Sequence, residues 1–78
     1  MRYSNGQEAR LGDKVKLGDG SEGVVVCSID TDEYTPDYPK DQWEYLKRGV
    51  LVNFPTLGVV HYEQAEADLE LVERSAQA

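Results

Sequence analysis

The stretch "GVLVNFPTLGVVHYE", Gly49 to Glu63, can fold back on itself in one register that leaves a usable core. Side chains alternate across a strand, so a slip of one residue carries every apolar group to the wrong face. Were Phe54 opposite Val59, then Val50, Val52 and Phe54 would share a face with Val59, His61 and Glu63, a poor core. With Phe54 opposite Gly58, Val52 meets Val60 and Val50 meets Tyr62. The sequence therefore predicts a three-residue loop, Pro55, Thr56 and Leu57, with Gly58 as a bulge. Leu51, Asn53, Val59 and His61 then occupy the other face.

An earlier stretch, "GDKVKLGDGSEGVVVCSID", reads as a second hairpin. Val15 and Leu17 alternate with Lys14 and Lys16, and the run Val24 to Ile29 has the β-branched character of a central strand covered on both faces. Gly18, Gly20 and Gly23 are available for positive φ in the connection. Upstream, "SNGQ" carries an Asn-Gly turn signal, and Tyr3 is placed to pack over one end of the core. At the other end, Ala65, Leu69, Val72 and Ala76 fall at helical spacing while Leu69 and Leu71 alternate as in a strand. A strand near Leu69 to Val72 is preferred, because two hairpins leave open edges for a fifth strand to cover. Residues 1–74 form one domain and Ser75 to Ala78 a frayed tail on this reading.

Between the hairpins, "DYPKDQWEYLKRG" predicts one short helix. Asp37 or Tyr38 can cap it, Pro39 suits its first turn, and Gly49 can end it, with Lys47 and Arg48 at the favourable end of the dipole. Pro39, Trp43 and Leu46 form the stripe expected to lie on the sheet, with Trp43 the anchor.

The Gly-Asp before an alternating strand, followed by a Gly ahead of the next, resembles the opening hairpin of SH3-like small barrels of the KOW type. The likeness covers roughly a quarter of the chain. It implies a mainly β fold: a five-stranded SH3-like small barrel with one short helix inserted between strands 2 and 3. It also implies association with RNA or ribosomes through Lys14 and Lys16, although Asp13, Asp19 and Glu22 oppose those two bases.

A chain of 78 residues holds a single core, since a domain this small buries only about 60% of its unfolded surface, and this favours a binding module over an enzyme with a deep cleft. The net charge of −7 is uneven. Asp30 to Leu46 carries six acids against Lys40, a local charge of −5, and four aromatic rings. Phosphate binding draws on Lys and Arg, so this balance argues against nucleic acid and for a basic protein partner. No run approaches the roughly 18 apolar residues of a membrane span, and a single cysteine fits a reducing, cytoplasmic setting.

Asp32, Glu33, Tyr34, Asp37, Tyr38, Asp41, Glu44 and Tyr45 are the candidate partner-binding residues. Tyr supplies rigid contact area with a polar tip, and the acids supply attraction for a cationic surface. The mix of Tyr, Pro and carboxylate is similar in chemistry to the recognition segment of nuclease-toxin immunity proteins, which are helical, so the likeness is one of surface composition.

Other chemistries fit less well. An EF-hand counted from Asp30 places Thr35 where Gly is needed and Asp41 where the bidentate Glu belongs. Cys27 and His61 are too few for structural zinc, and no positive charge is evident to activate the thiol. A surface run of carboxylates lacks the cleft and the raised pKa of a glycosidase pair. No cofactor, metal or catalytic residue is assigned. The expected function is a small acidic, non-enzymatic protein-binding module, an inhibitor or immunity protein being one form of it. A KOW-like RNA or ribosome-associated module is the alternative, and a small enzyme or metal-binding protein the third reading.

Overall fold

The computed structural model describes residues 1–64 and 68–74. Five strands, β1 (Lys14–Lys16), β2 (Glu22–Ser28), β3 (Val50–Phe54), β4 (Gly58–Tyr62) and β5 (Glu70–Glu73), form one antiparallel sheet in the order β4-β3-β2-β1-β5. One short helix, α1 (Lys40–Trp43), lies between β2 and β3 and runs into a 3-10 turn, Glu44–Leu46. Among the described residues no hydrogen-bonded pairing joins the two edge strands, β4 and β5, so the sheet is not closed into a barrel by its backbone.

The β3–β4 hairpin has the register that parity demands: Phe54 opposite Gly58, Val52 opposite Val60, Val50 opposite Tyr62. Gly58 takes φ +91° and the Leu57 N–H donates to the Phe54 carbonyl at 2.9 Å. That positive φ is what a three-residue loop ending in a bulge requires. The core sits on the face carrying Val15, Val25, Val50, Val52 and Phe54, with Val60, Tyr62 and Leu71 packed at its margin. Met1, Tyr3 and Ala9 from the amino-terminal turn cover it, and Leu69 fills the approach to β5. Tyr3 thus packs where the sequence places it, beside the Asn-Gly turn, in which the Gly6 N–H donates to the Tyr3 carbonyl at 2.9 Å.

Several local expectations need correction. Of Gly18, Gly20 and Gly23, only Gly20 has positive φ. Gly23 lies inside β2, where a Cβ would come within 2.7 Å of the Phe54 ring and 2.9 Å of the Asn53 carbonyl oxygen, so it is there for space. The central strand β2 is not covered on both faces throughout, since Val24 is 39% exposed. Its apolar run hides a bulge: Val25 pairs with Val52 and Cys27 with Leu51, leaving Val26 unmatched. The extra residue flips the parity, so Cys27 joins Leu51 on the face opposite the main core, where both are buried.

The helix is also shorter than predicted. Pro39 precedes it as the N-cap, at ψ 155° and with no side-chain cap, in place of Asp37 or Tyr38. The left-handed residue that ends the following turn is Lys47, at φ 71°, not Gly49. Gly49 serves the sheet instead: at φ +95°, a Cβ there would lie 2.1 Å from the Tyr62 carbonyl oxygen. The last strand forms close to its predicted place, pairing with β1 through Val15 opposite Leu71. Tertiary pairing has here overridden the helical spacing. The expected tail, Ser75 to Ala78, lies outside the described residues.

Candidate functional site

The connection from β2 to β3 is two turns and a helix, each tied to the sheet. Ser28 and Glu33 exchange backbone hydrogen bonds of 2.7 and 2.8 Å, and Tyr38 N–H closes a turn onto the Thr35 carbonyl at 2.9 Å. The Thr35 hydroxyl donates to the Val26 carbonyl at 3.0 Å, and the Ile29 N–H to the Gly49 carbonyl at 2.9 Å. These bonds hold the connection over the Cys27 end of the sheet. Enclosure pushes the Cys27 thiol up to about 11, so it stays protonated near neutral pH and packs as an apolar group.

The six carboxylates divide into two sets. Glu33 is committed inward: Arg10 Nε and an Arg10 terminal nitrogen donate to its two oxygens at 2.9 and 3.0 Å. The Leu11 N–H adds a bond of 3.1 Å, and the Thr31 hydroxyl, itself 2.7 Å from the Ser28 hydroxyl, adds one of 2.7 Å. With the Arg10 bonds as the main cause, Glu33 titrates at about 2. Asp30 is paired with the Met1 amino group, and Asp32, in a left-handed conformation at φ 57°, with Lys40 at 3.1 Å. Asp37, Asp41 and Glu44 are exposed and make no ion pair among the described residues.

The aromatic residues are gathered more closely than the acids. Trp43 lies nearly parallel to Tyr45, with 23° between planes and 6.4 Å between centroids, and tilted against Tyr38 at 6.0 Å. Trp43 and Leu46 are only half-buried, and among the described residues neither α1 nor the 3-10 turn comes within 8 Å of a strand between Cα atoms, so the predicted stripe does not anchor the helix on the sheet. The Trp43 indole N–H is enclosed and has no acceptor among the described residues. Tyr45, by contrast, is 68% exposed. Tyr34 is half-buried, and both its burial and the nearby Cys27 thiol push its hydroxyl pKa up. Of the eight candidate residues, Tyr38 and Tyr45 thus meet on Trp43, Asp37, Asp41 and Glu44 are exposed in the same connection, and Glu33 faces the amino-terminal turn.

The polar group that sequence reasoning missed is Asp13, fully buried between the amino-terminal turn and the sheet. Its carboxylate accepts from the Tyr3 hydroxyl at 2.8 Å, the Arg10 N–H at 2.9 Å and an Arg74 terminal nitrogen at 3.2 Å. Burial, with the Asp13 bond, drives the Tyr3 hydroxyl pKa far above its ordinary value. The sole available signal was the Gly12-Asp13 pair entering β1, which gives no hint of a distant Arg74.

A surface hollow of about 670 Å³ lies away from this segment along β4, beside Leu17, Val60, His61 and Asp68. Its one imidazole is engaged, with Nε2 of His61 2.9 Å from the Arg48 carbonyl oxygen. Among the described residues no group of three or more His, Cys, Asp or Glu converges as a metal site, and no helix is long and apolar enough to cross a membrane. No family model, curated protein or solved structure matches the chain.

Proposed function

We propose that this chain is a non-enzymatic protein-binding module that docks a basic partner through the segment between β2 and β3, acting as an inhibitor or immunity protein. The observation that carries the reading is the set Asp37, Asp41 and Glu44, exposed and outside every ion pair among the described residues, in the same connection as the exposed ring of Tyr45. A fold that needed these acids for itself would have paired them, as it pairs Asp30, Asp32 and Glu33. The strand order, in which the last strand returns to the free side of the first, supports the SH3-like reading of the architecture that belongs to this proposal.

The RNA-binding alternative would use Lys14 and Lys16. Each faces an acid across the sheet, Lys14 opposite Glu73 and Lys16 opposite Glu22, so the strip offers phosphate little net charge. Capture of partners from native lysate by wild-type protein, by Tyr38→Ala with Asp37→Lys, and by Lys14→Ala with Lys16→Ala separates the two. Loss in the first variant and retention in the second is expected; equal retention by the Tyr38 and Asp37 variant removes this surface from consideration.

A further inference from the structure

Residues 3–7 and residues 17–21 form the same turn twice. In the first, the Tyr3 N–H donates to the Gln7 carbonyl at 2.9 Å, the Gly6 N–H to the Tyr3 carbonyl at 2.9 Å, and the Gln7 N–H to Asn5 Oδ1 at 3.0 Å. In the second, the Leu17 N–H donates to the Ser21 carbonyl at 2.8 Å, the Gly20 N–H to the Leu17 carbonyl at 2.9 Å, and the Ser21 N–H to Asp19 Oδ1 at 2.9 Å. The glycines match as well, with φ +89° at Gly6 and +94° at Gly20. The side chain that bridges the turn ends in an amide at Asn5 and in a carboxyl at Asp19.

That difference decides reactivity. The Asn5 amide carbon is open to attack by the Gly6 backbone nitrogen, because Gly6 has no side chain to shield it. The nitrogen gives up its proton to water, the bond from Gly6 N to Asn5 Cγ forms, the Cγ–Nδ2 bond breaks and ammonia leaves. Water then opens the cyclic imide. Cleavage at Cγ gives aspartate, and cleavage at the Asn5 backbone carbonyl carbon gives isoaspartate, whose main chain is one carbon longer. Asp19 is quiet by comparison: the Ser21 N–H holds its carboxyl below the usual range, and a carboxylate has no amine to lose. Asn53, the other asparagine, lies within β3 ahead of the bulky Phe54.

In the closed turn both reacting groups are engaged. The Gly6 proton that must leave is held by the Tyr3 carbonyl, and Asn5 Oδ1 is held by the Gln7 N–H. A backbone proton bound in this way is released through local opening. We propose that Asn5 is a deamidation site of this chain, protected while the turn of residues 3–7 is closed and released when it opens. Aspartate at this position keeps the turn, as Asp19 does in the second copy. Isoaspartate does not fit it, and loosens the cover that Met1, Tyr3 and Ala9 place over the core.

The full chain is incubated at mildly alkaline pH, folded in buffer and unfolded in urea, and amide loss at each asparagine is followed by peptide mapping with mass spectrometry. Loss at Asn5 should be at least about ten-fold slower in the folded chain, the ratio for a turn open about a tenth of the time or less. In urea, Asn5 should react before Asn53, and Gly6→Ala should slow it. Asn5→Asp should unfold at the wild-type urea midpoint. Equal rates in the folded and unfolded chain overturn the protection, and faster loss at Asn53 than at Asn5 in urea overturns the site. A lowered midpoint for Asn5→Asp overturns the equivalence of the two turns.

Discussion

The sheet and the connection that crosses it are built from opposite materials. In the sheet, Val15, Val25, Val50, Val52 and Phe54 are almost wholly buried, and each places its neighbour by parity and volume. In the connection no residue of α1 or the 3-10 turn is fully buried, and hydrogen bonds do most of the positioning. Apolar burial is non-directional and tolerates repacking, whereas a polar bond is short and specific. The connection is therefore held to the sheet at its roots, Ser28, Glu33 and Thr35, while at its crest Asp37, Asp41 and Glu44 are exposed and make no ion pair among the described residues. That division leaves stability to one part and exposed polar surface to the other.

The sharpest way to break this comparison is a cut in the sheet's core. Phe54→Ala removes a fully buried ring seated over Gly23 and should cost about 3–5 kcal/mol in urea unfolding. A loss below about 1 kcal/mol would mean that the sheet does not dominate stability. Next in size is Asp13→Ala, which leaves the Tyr3 hydroxyl and the Arg10 N–H without their acceptor and should cost about 2 kcal/mol by the same measurement.

Acid sharpens the role of the roots. Glu33 titrates at about 2, below its ordinary value of 4.5, so its contribution is fully present above pH 4.5 and fades as pH falls toward 2. Stability of the wild-type chain should drop across that window, and Glu33→Gln should flatten this part of the profile when unfolding is followed as a function of pH. An unchanged slope would show that the Arg10 pair is irrelevant to folding. The smallest effect belongs to the crest: Asp37→Lys and Asp41→Lys should each alter stability by no more than about 0.5 kcal/mol, because both acids are exposed and outside every ion pair among the described residues. A large loss in either would assign that carboxylate to the fold.

How much of this could be read beforehand follows the same division. The β3–β4 register was legible because alternation admits one pairing, and the bulged loop followed from it. The bulge at Val26 was not, since a run of Val24, Val25, Val26 and Cys27 looks alike in either parity. The helix's place was legible from Pro39 and the apolar spacing, but its early end was set by Lys47 turning left-handed, a choice the sequence marks poorly. Charge concentration pointed to the whole run from Asp30 to Leu46 as a surface. Which acids are spent within the fold depends on Arg10 and the amino-terminal turn, distant contacts that local spacing does not encode.

One bond bears on the order in which the molecule assembles. A terminal nitrogen of Arg74 donates to the Glu8 carbonyl at 2.7 Å, across 66 positions of chain, and also reaches Asp13. The hairpins close over short spans and can gather early, whereas this bond joins nearly the first and last described residues and must wait for most of the chain. On a ribosome, the amino-terminal turn would leave the tunnel long before its fastener does. A sheet gathered from its hairpins should therefore form with its lid unlatched, and Arg74 completes the seal over the amino-terminal turn later.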